Sequence, residues 1–293
     1  MLAEIAAVIA PTFICAGIGY WWGRSGRPFN SELVTNLAHN LGVPFLIFST
    51  LTKLKVSPEA FATVAGAHVV TVTCVLMASA VILKLQRLSW NCFLPPLVFA
   101  NNGNMGLPIC LFAFGDTGLA FAISVFVISS IGTFTVGVGI FAGSASPRLI
   151  LRNPLIYVIA VALVFMLTHT QPPAWLANTA QIVGGMGIPL MLLSLGVAIS
   201  RIRFAGIGRS IWLAVLRIVL GMIAGIGVST LFGLDGAARG VIVLQAAMPT
   251  AVNNYLFSQR YNRRPEEVAG IVVISTLLSF VSLPLLLWMV LSS

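Results

Sequence analysis

Residues 101–108 read NNGNMGLP: three asparagines, two glycines and a proline inside an apolar run that extends over 90–113. This is a poor α-helix, because Gly and Pro cost about 1 and 3 kcal/mol relative to Ala in a helix interior. Pro108 also lacks an amide hydrogen and restricts Leu107. A second interruption, MPTAVNNY at 248–255, falls inside the apolar run 237–259. Both runs are expected to contain unwound chain.

The surrounding sequence says what kind of molecule holds these interruptions. The 293 residues are 58% hydrophobic and only 8% charged, whereas soluble domains carry roughly 25% charged residues. Such a chain cannot cover a water-facing surface, so its exterior must face lipid. Apolar segments lie at 2–22, 32–52, 60–83, 90–113, 117–142, 154–170, 175–199, 208–232, 237–259 and 267–291. A spanning helix needs about 20 apolar residues. The expected fold is therefore all-α and integral to the membrane, with ten transmembrane helices and no soluble domain. The first segment opens MLAEIAAV, with Glu4 where a cleavable signal would be basic, and reads as the first helix. Trp21, Trp22, Trp90, Trp175, Trp212 and Trp288 fall near segment ends, as in an interfacial aromatic belt.

The net charge of +9 would suggest nucleic acid in a soluble protein. Here the basic residues sit in short loops. With the N-terminus outside, inside loops hold Arg24, Arg27, Lys84, Arg87, Arg148, Arg152, Arg201, Arg203, Arg209, Arg260, Arg263 and Arg264, and outside loops hold Lys53, Lys55 and Arg239. This 12-to-3 bias predicts a multi-pass protein of the inner (plasma) membrane with both termini on the non-cytoplasmic side. Cys15, Cys74, Cys92 and Cys110 form no CxxC pair and no Cys/His cluster, so no metal and no cofactor are expected. No HExxH, GxSxG or aspartate-rich motif suggests catalysis.

Internal similarity organises the segments. LGVPFLIFSTL (41–51) matches MGIPLMLLSLG (186–196) at an offset of 145, with Gly42/Gly187, Pro44/Pro189 and Ser49/Ser194 identical. VISSIGTF (127–134) matches VISTLLSF (273–280) at an offset of 146, aligning Ser129 with Ser275. Two repeats of five helices follow, 1–146 and 147–293, with the link near SPRLILRN (146–153). An odd number of helices forces the second copy to enter the membrane inverted, a recurring plan of secondary transporters. The offset pairs Asn104 with Thr250 and Pro108 with Asn254, so the fourth and ninth segments break at equivalent places.

Unwound backbone must face protein or a wet cavity. Matched interruptions point to a binding site, against the alternative of two proline kinks satisfied by asparagines. The half-helices that restart after each break present partial positive charge and free amides, which suits an anion. Glu4, Glu32, Glu59, Asp116, Asp235, Glu266 and Glu267 all lie near segment ends or in loops, which disfavours a cation substrate. Candidate substrate-binding residues are Asn101, Asn104, Thr250, Asn253, Asn254, Ser129 and Ser275, with Gly103, Gly106, Pro108 and Pro249 as crossover or hinge positions. His39, His68 and Arg217 are ionisable groups within spans. The histidines read either as hydrogen-bonded core residues or as functional groups. Arg217 reads either as neutralising helix C-termini or as drawing anions into the cavity.

These motifs resemble the auxin efflux carrier family, which includes the plant PIN-FORMED carriers and bacterial relatives. ELVTNLAHNLGVPFLIFSTL resembles the family's second helix, and Asn101-x-Gly103-x-x-Gly106-x-Pro108 its fourth-helix crossover. AAMPTAVNNYLFSQRYN (246–262) is similar to the ninth-helix crossover, and Arg217 matches a basic residue of the eighth helix. The resemblance spans nearly the whole chain. It implies two inverted five-helix repeats whose broken fourth and ninth helices cross beside the substrate cavity, on the plan of NhaA and the bile-acid symporters. It also implies a substrate-site role for Asn101, and transport of a small organic anion such as auxin or a dicarboxylate like malonate. Asn254 stands where plant carriers have a second crossover proline, and the long cytoplasmic loop of many plant members is absent. Both departures put auxin in doubt and point to a compact, bacterial-type member. Partners expected are the anion and the bilayer, with a homodimer as one candidate assembly and no nucleic acid. The alternative within transport is a sodium-coupled organic-anion symporter of the bile-acid type.

Overall fold

The structure, a computed structural model, describes residues 2–53, 57–143, 154–168, 170–202 and 205–291. Lys55, Arg148, Arg152, Arg203 and the expected linker at 146–153 lie outside them. The described residues are helical almost throughout. Helix α1 is Leu2–Arg24, α2 covers 31–53, and α3 is Pro58–Leu85. The first broken pair is α4 (Trp90–Val98) and α5 (102–114). The chain reverses at Gly115, whose φ of 63° glycine adopts without steric cost, and runs on as α6 (116–142). Then come α7 (Pro154–Leu167), α8 (Ala174–Arg201) and α9 (Ile207–Leu231). The second broken pair is α10 (Gly236–Ala246) and α11 (Val252–Arg260), and α12 is Pro265–Leu291.

Six described helical stretches are long and apolar enough to cross a membrane: Ala3–Arg24, Pro58–Leu85, Asn102–Ala142, Ala174–Arg201, Ile207–Leu231 and Pro265–Leu291. Their outer faces carry exposed Val81, Ile182, Ile223, Leu277 and Leu285, as lipid contact requires. All six tryptophans are exposed near helix ends. Local chemistry fixes several helix starts. The Asn30 side chain accepts the Leu33 amide at 3.0 Å to open α2, and Ser57 accepts the Ala60 amide at 3.2 Å ahead of Pro58.

Hydrogen bonds tie several connections together at one end of the bundle. Arg201 donates to Phe29 O and Ser31 Oγ, Arg263 to Phe141 O, and Trp212 Nε1 to Gln86 Oε1. Arg209 and Arg264 both reach Glu267, at 2.6 and 3.0 Å. Helices α2 and α8 meet where Gly42 faces Gly187. A Cβ at Gly42 would lie 2.6 Å from the Gly187 Cα, so any larger residue would force the helices apart.

The two breaks meet at the centre. Ala100 and Thr250 form an isolated antiparallel bridge, with the Asn101 amide donating to Pro249 O at 2.7 Å and the Ala251 amide to Phe99 O at 3.2 Å. These bonds satisfy peptides that leave the helical ladder in an apolar interior. The unwound chain is Phe99–Asn101 and Ala247–Ala251, slightly N-terminal to the expected positions. Asn102–Gly106 is instead a wide, π-helical turn, and Pro108 lies in the first turn of the following α-helix, where its missing amide hydrogen costs nothing. The bridge sets Thr250 opposite Ala100.

Candidate functional site

Three π-helical turns surround one small cavity beside the bridge: Ala38–Gly42 of α2, Asn102–Gly106 of α5 and Thr133–Gly137 of α6. Such turns are rare and often mark functional sites, because they re-aim side chains and leave the backbone ladder irregular. The cavity, about 40 Å³, is lined by His39, Asn101, Asn102, Asn104, Ser129 and Asn253, with Ser130, Thr133 and the rings of Phe126 and Phe134 completing it. A second cavity of about 220 Å³ shares His39, Asn104, Val252 and Asn253 with it and continues to Ser31 and Arg201. The inner cavity thus joins a route towards the bundle end where Arg201, Arg209 and Arg264 collect.

Helices α5 and α11 both start at this cavity. By position, the first amides of each have no carbonyl of their own helix to bind. Asn101 precedes α5, is 4% exposed, and leaves its Nδ2 without a partner.

Behind the bridge lies a different environment. A void of about 10 Å³, the size of one water, is lined by His68, Asn102, Ser129, Arg217 and Gln245. Arg217 is 1% exposed and donates through Nη2 to Ala246 O at 2.8 Å. Ala246 ends α10, and Val98, which ends α4, lines the same void. Arg217 therefore sits where two half-helices direct their negative ends, each worth roughly half a charge. His68 Nε2 bonds Ser129 Oγ at 2.7 Å.

The predicted site residues separate into two groups. Asn101, Gly103, Asn104, Ser129 and Asn253 line the inner cavity. Thr250, Ser275 and Asn254 are buried beside it and hold the crossing: Thr250 Oγ1 donates to Pro96 O at 2.9 Å, and Ser275 Oγ accepts the Thr250 amide at 3.1 Å. Asn254 Nδ2 donates to Phe99 O and Ala251 O at 3.0 and 3.2 Å. Pro249 contributes its carbonyl to Asn101, and Gly106 packs so closely on Gln245 that a side chain there would collide with it. Sequence reasoning did not single out Asn102, Ser130 or Thr133. Asn102 lies inside the quoted motif, but Ser130 and Thr133 lie in an apolar segment, where a lone hydroxyl carries no distinctive signal.

Residues 144–287 match a family model described as a membrane transport protein. The chain is similar to an uncharacterised transporter of Methanocaldococcus jannaschii, 24% identical over 97% of this chain and 98% of that protein. It is also similar to a transporter of Methanothermobacter thermautotrophicus, 26% identical over 63% of each chain. Auxin efflux carrier component 1 of Arabidopsis thaliana is 28% identical over 45% of this chain, a stretch that covers 22% of the plant protein. The resemblance carried by the two interrupted segments is thereby borne out: the chain is similar to membrane transporters that include the auxin efflux carriers.

Proposed function

We propose that the protein is a secondary transporter that carries a small organic anion by alternating access, with the anion held in the cavity beside the crossing. One observation carries this reading: the crossing is compensated on one side only. The negative half-helix ends face Arg217, whereas the positive starts of α5 and α11 face a cavity that no acid lines. Among the described residues every Asp and Glu is exposed except Glu267, which pairs with Arg209 and Arg264. An anionic substrate supplies the charge that these starts favour.

In this reading α4–α5 and α10–α11 are the fourth and ninth of ten membrane passes, related as two inverted repeats. The close approach of Gly42 and Gly187, which align at the repeat offset, supports it, since equivalent residues of a two-fold repeat meet at its axis. The connections gathered at one end by Arg201, Arg209, Arg263 and Trp212 support an even number of passes between them. The basic residues at that end favour its being cytoplasmic, with both termini outside. The route from the inner cavity to Arg201 then opens inward. A combined space this modest suits a short carboxylate or dicarboxylate better than a drug-sized ligand, which occupies about 300–1,000 Å³.

Uptake of labelled malonate and indole-3-acetate into proteoliposomes tests the function. Saturable uptake, inhibited by other carboxylates and not by organic cations, is expected. Strict dependence on sodium would favour the bile-acid-type symporter instead.

A further inference from the structure

Two histidines approach the crossing, and their surroundings differ. His68 is buried behind the bridge, bonded through Nε2 to Ser129 with its Nδ1 unpartnered, and it shares its void with the Arg217 guanidinium. His39 lies in the π-helical turn Ala38–Gly42, is half-buried, and its ring makes no hydrogen bond to any described residue. It lines both the inner cavity and the outer one, so it stands where the two join.

We propose that His39 is a proton-binding anchor for the substrate, so that one proton is taken up with each anion. This rests on the anion reading above. The chemistry follows from what faces the ring. From α5 come Asn102 and Asn104, from α6 Ser129, Ser130 and Thr133, and from α11 Asn253, none of them ionisable. The outer cavity adds Arg201 of α8 and Tyr255 of α11, and behind the bridge stand His68 and Arg217. His39 is thus the one ionisable side chain lining the inner cavity among the described residues. A carboxylate within about 4–6 Å favours the protonated form of an imidazole, and the imidazolium, with both ring nitrogens protonated, in turn donates an N–H to the anion whichever nitrogen faces it. The proton comes from bulk water through the outer cavity and ends on a ring nitrogen. No covalent bond changes. For a monocarboxylate the pair crosses the membrane with no net charge, which removes the cost of carrying an isolated charge through a low-dielectric barrier.

The test is calorimetric titration of the purified full-length protein with acetate, pyruvate and malonate above pH 7, where the probes are ionised. Buffers of different ionisation enthalpy then count protons. Wild type should take up close to one proton per anion bound. Its apparent affinity should fall about tenfold per pH unit once His39 is mostly neutral, because only the protonated fraction competes for anion. His39→Gln should bind more weakly, take up no proton and lose the pH slope. His39→Arg, permanently charged, should bind without proton uptake and without the slope. Equal proton counts in wild type and His39→Gln, with binding retained in both, would overturn the role of His39 and leave the anion reading standing. Failure of all three carboxylates to bind wild type would overturn both.

Discussion

The amide of Asn101 donates to the carbonyl of Pro249 at 2.7 Å, so the two interrupted helices are joined through backbone at the point where each unwinds. The side chain of Asn101 is left over: its Nδ2 has no partner and the residue lines the inner cavity. Backbone holds the crossing while the amide side chain is available for a ligand.

Asn101→Ala should remove a hydrogen bond to a charged ligand, worth about 1.5–3 kcal/mol. Affinity for the transported anion should fall roughly 10- to 150-fold, with a near-wild-type melt in the absence of ligand. A lowered melt with unchanged affinity would assign Asn101 a structural role.

Asn254→Ala should behave in the opposite way. Its Nδ2 bridges Phe99 O and Ala251 O across the crossing, and both carbonyls lose a donor in the variant. Both carbonyls keep a backbone donor, the Ala251 and Asn254 amides, so the loss is that of two side-chain hydrogen bonds, about 0.5–1.5 kcal/mol each, and thermal unfolding should come at lower temperature. Binding by the protein that remains folded should change little. Paired melts and titrations of the two asparagine variants measure the contrast.

Arg217→Met should be severely destabilising, because it leaves the α10 terminus at Ala246 without its donor and removes the charge facing two negative helix ends. A hydrogen bond to a charged group contributes about 1.5–3 kcal/mol, and the buried Ala246 carbonyl loses that donor. Arg217→Lys, which keeps the charge with one compact donor group, should recover part of the yield in fluorescence-detected size exclusion.

Much of the crossing was legible in the sequence, and the reason is chemical. Asn101 to Pro108 and Met248 to Asn254 concentrate residues that disfavour helix inside segments too apolar to be loops. That contrast survives without any tertiary information. Three things were not legible. Pro108 reads as a breaker, yet the chain has already resumed helical geometry and the proline falls in the first turn. Ala100, the bridge partner of Thr250, is an apolar residue just before the motif and carries no signal of its place in the crossing. The placement of His39 and Thr133 falls in π-turns whose sequences, AHNLG and TFTVG, carry no distinctive signal.

Topology is open to a direct check. Single cysteines introduced at Arg27, Arg87, Arg209 and Arg264 should be labelled by a membrane-impermeant maleimide only after the cytoplasmic face is exposed. A cysteine at Arg239 should be labelled from the outside in intact cells. Labelling of Arg239 and Arg209 positions from the same face would contradict ten passes with both termini outside.

The central claim is that the positive starts of α5 and α11 hold a carboxylate. The most direct measurement is the melting temperature of purified protein titrated with malonate and, separately, with its uncharged isostere malonamide. A ligand that binds only the folded state raises stability by RT ln(1 + [L]/Kd). Saturable stabilisation by malonate or another member of a carboxylate panel, with none from the matching amide, is the predicted result. Equal stabilisation by acid and amide, or stabilisation by organic cations alone, would contradict an anion site at the crossing.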